Sequence, residues 1–354
     1  MSIWRWADWL AETPAAARIT LGEGSTPLLR SRRIGPELGL PDLYFKLDSV
    51  NPTGSYKDRF AAAAISDMVA RGKARCIATS SGNTGSALAA YCAVAGISCD
   101  IAIIEAAPQA KLQQMMAYGA NIYRVRGFGL DSEITTRVFD HLNQQGQQPD
   151  AAIQISAYAY SPAGMTGVQT ISYELGEQLD AIDHVFCPAG GGGLTLAVAR
   201  GFAVLVREKQ LAQSPRIECV QPQGNDTMAT PLREGANQAR AVKGASAIGG
   251  LQVPSVIDGN EVIQECRATG GSGHVVTDEE AWRTQALLAC QEAIFCEPAG
   301  AVALAGALRA LREKRIDSNA RVVCLVTGTG FKDQSAIERM VADVACPLVE
   351  PDSL

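Results

Sequence analysis

Short apolar runs alternate with longer amphipathic or alanine-rich stretches along most of this chain. Runs at residues 43–47, 76–79, 98–104, 121–125 and 152–155 predict strands. Between them, residues 60–71, 84–95, 107–118 and 130–144 predict helices, the first closed by Gly72. The second half repeats the rhythm. Strands are expected at 184–187, 217–221 and 321–326, and helices at 194–209 and from Pro298 onward, where proline takes the first helical position. Alternation of this kind predicts an α/β chain with a parallel sheet covered on both faces. Residues 18–30 add a short edge strand and a Gly-rich turn. Residues 243–263 are Gly-rich and weakly patterned, which reads as a plain surface loop slightly ahead of a lid or an interface.

At 354 residues the chain is long for one core and suggests about two domains at ~150 residues each. The balance of 31 basic and 37 acidic residues, net −6 with no basic run, argues against nucleic acid and anionic membrane surfaces as partners. No apolar stretch reaches the ~18 residues a membrane span needs. The opening Met1-Ser2-Ile3-Trp4-Arg5-Trp6-Ala7-Asp8-Trp9 has acid and tryptophan where a signal peptide has a basic patch and an apolar run, so a cytoplasmic protein is expected. Ten cysteines show no C-x-x-C spacing and most sit in apolar runs, which reads as small buried hydrophobes in a reducing compartment. With only three histidines, His141, His184 and His274, and no metal spacing, a metal site or a His-based triad has thin support. Acid–base chemistry must come from lysine, carboxylates, hydroxyls or a cofactor.

Ligands of parallel sheets bind beyond the carboxyl ends of strands, and three such places carry chemistry. Lys57 lies at a loop-to-helix junction, within Asn51-Pro52-Thr53-Gly54-Ser55-Tyr56-Lys57-Asp58-Arg59. A cation there opposes the helix dipole, which disfavours an idle lysine and suits one used as a nucleophile. Ser80-Ser81-Gly82-Asn83-Thr84-Gly85 joins a strand to a helix and offers amides, hydroxyls and a carboxamide to an anion. The same residues also make an ordinary well-capped helix start. Pro188-Ala189-Gly190-Gly191-Gly192-Gly193, between strand and helix, exposes bare amides at a helix N-terminus and so reads as a cradle for a dianion. It has neither the G-x-G-x-x-G of a dinucleotide site nor the G-K-[ST] of a P-loop.

Residues 52–59 resemble the cofactor-lysine motif of the fold type II (tryptophan synthase β-like) pyridoxal-phosphate enzymes, most closely that of the threonine synthases. Four further stretches resemble that family in the same order: Gly22-Glu23-Gly24-Ser25-Thr26-Pro27-Leu28, Ser81-Gly82-Asn83-Thr84-Gly85, Glu297-Pro298-Ala299-Gly300-Ala301 and Thr327-Gly328-Thr329-Gly330-Phe331-Lys332-Asp333. The resemblance implies two parallel or mostly parallel open twisted sheets flanked by helices, with the cofactor between two domains. Residues 56–158 would form the smaller domain, and 12–55 plus 159–345 the larger. It implies pyridoxal 5'-phosphate held as an imine on Lys57, with its phosphate on Gly190, Gly191, Gly192, Gly193 and Leu194. Asn83 would contact the ring oxygen, and Ser81, Asn83 and Thr84 would hold the substrate carboxylate. Thr327 would meet the pyridine nitrogen, and a neutral hydroxyl there leaves the ring a milder electron sink.

The implied activity is that of a lyase of the threonine synthase type, turning O-phosphohomoserine and water into threonine and phosphate, in a homodimer. Two departures keep alternatives open. Gly191 stands where the family's loop asparagine is expected, and residues 156–167 lack the family's arginine. The tetraglycine and the 297–301 motif are also similar to serine/threonine dehydratases, although Thr84 occupies the place of their histidine. The other readings are a dehydratase, a β-replacement enzyme acting on phosphoserine or a related amino acid, and a non-catalytic cofactor- or amino-acid-binding protein.

Overall fold

The computed structural model describes residues 2–107 and 109–353. Among them, ten strands occur in chain order: β1 (Leu28–Arg30), β2 (Leu43–Leu47), β3 (Arg75–Ala78), β4 (Ser98–Ile104), β5 (Asn121–Val125), β6 (Ala151–Ile153), β7 (His184–Pro188), β8 (Arg216–Pro222), β9 (Gly273–Val276) and β10 (Val322–Val326). They form two sheets, a four-stranded one ordered β5-β4-β3-β6 and a six-stranded one ordered β1-β2-β10-β7-β8-β9. Every ladder is parallel except β1–β2. The central strands of the large sheet, β7 and β10, are buried at every residue. That is what a parallel strand with helices on both faces requires.

The helices expected from periodicity are present, with shifted ends. The helix after β5 runs Ser132–Gly146, two residues later than its pattern suggests, because the Asp131 side chain caps it by accepting from Ile134 N at 2.9 Å. The helix expected over 107–118 is instead a 3-10 turn, Gln109–Leu112, followed by the short helix Gln113–Ala117. Gly119 at φ +82° ends it, and Pro108 lies outside the described residues. Two long helices were not anticipated. Pro162–Gln178 starts with proline at its first turn, and Asp278–Glu292 starts with a capping box between Thr277 and Glu280.

The helix Pro162–Gln178 packs on the helix Lys57–Ala70 through glycines. A Cβ added at Gly164 would lie 2.7 Å from Phe60, and one at Gly167 only 2.1 Å from the Arg59 carbonyl oxygen. Backbones this close leave no room for side chains at those two positions.

Beneath this contact lies a buried ion cluster. Arg59 is fully buried, as is Lys46. The guanidinium donates to both carboxylate oxygens of Asp48 at 2.8 and 3.0 Å and to both of Glu174 at 2.6 and 2.9 Å. It also donates to the hydroxyls of Thr170 at 2.9 Å and Thr26 at 3.1 Å. Lys46 Nζ donates to Glu174 Oε2 at 2.5 Å, to the Thr26 carbonyl at 2.8 Å and to Gln178 at 2.9 Å. Two cations and two carboxylates thus neutralise one another with their donors satisfied, the condition under which buried charge is tolerated. The cluster ties the 22–28 segment to both helices.

Eight cysteines are buried, and Cys290 and Cys346 are exposed. Cys76 on β3, Cys99 on the neighbouring β4 and Cys92 on the helix Asn83–Ala95 bring their sulfurs within 4.8 Å of one another.

Candidate active site

Lys57 is the first residue of its helix and follows a turn in which Gly54 adopts φ +90°. Hydrogen bonds join that turn to the loop after β10. Tyr56 N donates to the Thr327 carbonyl at 3.0 Å, Thr329 N donates to the Gly54 carbonyl at 2.9 Å, and Ser55 bridges Gly328. Lys57 Nζ donates to Ser156 Oγ at 2.8 Å and lies 4.5 Å from the centre of the Tyr56 ring. Burial pulls its pKa down to about 7 against the opposing attraction of Glu297 and Asp258. The helix dipole expected from the sequence acts in the same direction, but loss of solvent is the leading cause. The residue keeps accessible surface because it faces a cavity.

That cavity, about 260 Å³, is lined by the loops that leave four strands, with Ile155, Ser156 and Ala157 following β6. After β3 come Thr79, Ser80, Gly82, Asn83 and Thr84; after β7, Pro188, Gly190, Gly191, Gly192, Gly193 and Leu194; after β10, Thr327. The helices starting at Asn83 and Gly193 have no side-chain cap, so their first amides remain available to a ligand. Gly192 has φ +100°, and a Cβ there would lie 2.8 Å from Val262. The glycine loop is fixed from behind. Gln221 donates to the Gly190 carbonyl at 3.2 Å, and Asp258 N donates to the Gly191 carbonyl at 3.1 Å.

All but one of the site residues expected from the sequence meet in this cavity. Ser81 is not among its lining, and Ser80 is there instead. Three features of the cavity were not assigned to it from the sequence. Ser156 receives the Lys57 hydrogen bond across 99 residues of chain. Glu297 Oε1 accepts from Asn83 Nδ2 at 2.7 Å, across 214 residues. A Cβ on Gly328 would lie 2.2 Å from that Glu297 oxygen and 3.1 Å from Asn83 Nδ2, so the three loops converge at one point.

The third feature corrects the reading of 243–263 as a plain surface loop. Gly250, Leu251, Val253 and Ile257 form a wall of the cavity, and Ile248 and Asp258 are buried. A Cβ at Gly191 would come 3.2 Å from the Ile257 side chain, so this wall packs tightly against the glycine loop. A wider groove of about 990 Å³ lies over the small sheet near Arg75, Tyr123, Arg137 and His141, and contains none of the expected site residues.

The chain is similar to known proteins along most of its length. The family model described as "Pyridoxal-phosphate dependent enzyme" matches residues 19–328. Among curated proteins, the threonine synthase of Methanocaldococcus jannaschii is 31% identical over 343 residues, covering 96% of this chain and 82% of that protein. The threonine synthase of Bacillus sp. (strain ULM1) is 30% identical over 344 residues, covering 96% and 93%. Among solved structures, the processed form of threonine deaminase isoform 2 from Solanum lycopersicum has a TM-score of 0.76 at 20% identity, over 97% of this chain and 94% of that one. Maize serine racemase has a TM-score of 0.73 at 24% identity, over 90% and 91%. At these identities the two structures attest the fold.

Proposed function

We propose, from the premise that this chain belongs to the pyridoxal-phosphate dependent enzymes, that it catalyses elimination and replacement on an amino acid bearing an oxygen leaving group. The first candidate is the conversion of O-phosphohomoserine and water to threonine and phosphate. One observation carries the reading: a lysine amine with its pKa brought down to about 7 faces a cavity that also holds a bare glycine cradle. The full-length similarity to threonine synthases supports the substrate class.

The residues fit the cofactor. Gly190, Gly191, Gly192, Gly193 and Leu194 would hold its phosphate on backbone amides, in a cradle that a Cβ at Gly192 would crowd. Asn83 and Thr327 would meet the ring, and Lys57 would carry it on Nζ. When bound, pyridoxal phosphate supplies the electron sink that stabilises negative charge at the substrate Cα.

The chain's own groups do the rest. Amides and hydroxyls of the 80–84 loop would take the substrate carboxylate. Lys57 would take the Cα proton and return it later, a role its amine suits because burial brings its pKa down to about 7. Ser156 and Tyr56 hold Nζ in the cavity while it does so. The Gly250–Ile257 wall would cover one side of the bound ligand.

A second reading, deamination of L-serine or L-threonine, is favoured by one feature. The helix Pro162–Gln178 starts with glycines pressed against the Lys57 helix, and no arginine in 156–167 is available to a substrate phosphate. The test is to assay purified enzyme with O-phosphohomoserine, L-serine and L-threonine, following phosphate, threonine and keto acid together. Phosphate release matched by threonine is expected. Keto acid from the hydroxy amino acids with phosphohomoserine inert would establish the second reading. A Lys57→Ala variant that kept the visible absorbance of the cofactor and full turnover would sink both.

A further inference from the structure

The cavity around Lys57 has a smaller neighbour of about 100 Å³, whose lining includes Gly82, Asn83, Gln114, Gly250, Glu297 and Lys332. The two share Gly82, Asn83, Gly250 and Glu297, so they lie side by side. Lys57 and Lys332 are the cationic residues lining the pair among the described residues.

Lys332 ends the 3-10 turn Gly330–Lys332, and its stem lies against the Gly54 turn, where a Cβ would come within 3.3 Å of Lys332 Cε. Its ammonium donates to Gln114 Oε1 at 2.5 Å. Gln114 is itself oriented, since its Nε2 donates to the Thr53 carbonyl at 3.1 Å and to the Tyr118 hydroxyl at 3.3 Å. The carboxamide oxygen is therefore left to point the lysine. A lysine ammonium has three donors, and the other two find no acceptor among the described residues. No carboxylate lies within 4.0 Å of it there either. Burial lowers its pKa, while the more distant Glu297 and Asp58 oppose that and favour the charged form. A half-buried cation with a neutral holder and two free donors is poised for an anion.

We infer that Lys332, held by Gln114, forms the subsite for a phosphate monoester on the substrate side chain. It would supply the cation that residues 156–167 lack. The inference rests on the proposed phosphate-ester substrate for its biological meaning, but the subsite can be tested without turnover.

In the holoenzyme, where the cofactor's own phosphate fills the glycine cradle, inorganic phosphate binding is measured by calorimetry for wild type, Lys332→Met and Lys332→Arg. Binding that weakens at least tenfold in Lys332→Met and is retained in Lys332→Arg is expected. Equal binding in wild type and Lys332→Met, or no phosphate binding by wild type, overturns the inference. A second readout is the affinity ratio of O-phosphohomoserine to homoserine, which should fall at least tenfold in Lys332→Met. An unchanged ratio, with both affinities falling together, would assign Lys332 to the α-carboxylate or to the fold and overturn the subsite. Failure of the function is read separately. Wild type that binds phosphate through Lys332 yet turns over only L-serine or L-threonine refutes the threonine synthase reading and keeps the subsite.

Discussion

Replacing Arg59 by methionine tests what holds the Lys57 helix in place. Methionine fills much of the same volume but removes all six hydrogen bonds of the guanidinium. Asp48 would keep the Thr26 hydroxyl, and Glu174 would keep Lys46 and the amides of Ser25 and Thr26. One buried negative charge is left without a counter-ion, a defect that costs ~3–5 kcal/mol. The depressed Glu174 carboxyl gives a similar size. Burial alone would raise its pKa, yet Arg59 and then Lys46 hold it down to about 2 against an ordinary 4.5, worth ~3 kcal/mol. Because the folded value is depressed, this stability is fully present above pH ~4.5 and is lost as the pH falls toward ~2.

Urea unfolding can be followed by tryptophan fluorescence, since Trp6 and Trp9 lie 5.7 and 5.2 Å from the Tyr173 ring, beside Glu174. At pH 7 the variant should be less stable by ~3–5 kcal/mol, and the gap should narrow below pH ~4.5 as wild type loses the same contribution. Arg59→Met combined with Glu174→Gln restores neutrality and should be more stable than Arg59→Met alone. A loss under ~1 kcal/mol, the size of an exposed pair, or a double variant no better than the single, would refute the reasoning.

Two further outcomes are expected. Gly192→Ala places a Cβ 2.8 Å from Val262 at a backbone of φ +100°, which costs ~1–3 kcal/mol. Its cofactor dissociation constant should rise at least tenfold, and an unchanged value would remove Gly192 from the phosphate cradle. Uptake of cofactor by the apoprotein needs a neutral Lys57 amine. With that pKa lowered to about 7, the rate should climb through neutrality and level off above pH ~8. A rate still rising at pH ~9.5 would mean that Lys57 titrates like an ordinary lysine.

Much of the fold could be read from periodicity because its strands are short, apolar and separated by helices. The ends of elements were set by features that periodicity does not carry. The Asp131 cap moves one start to Ser132, and Gly119 stops another helix early. Pro162–Gln178 escaped notice because its first turn is rich in small residues that face another backbone, not a side-chain core. At the site, the segments that start right after strands were legible, since loop, glycine and helix follow one another in the chain. Ser156, Glu297 as a partner of Asn83, and the Gly250–Ile257 wall were not, because each reaches the cavity from a distant part of the sequence. The three clustered cysteines illustrate the same limit: neighbouring strands and a helix, not C-x-x-C spacing, bring them together.

The position of β10 in the large sheet has a consequence for biosynthesis. It lies between β2 and β7, yet of the ten described strands it is the last to leave the ribosome. Until residues 322–326 emerge, β1–β2 and β7–β8–β9 are two separate pieces with open edges, the kind of surface that invites wrong partners. The small sheet has all its strands by residue 153 and needs no such wait. Thr327 follows β10 directly and its carbonyl anchors the turn before Lys57. Closing the sheet and completing the lysine's surroundings are therefore one late event, and a chain cut short before it ends with neither.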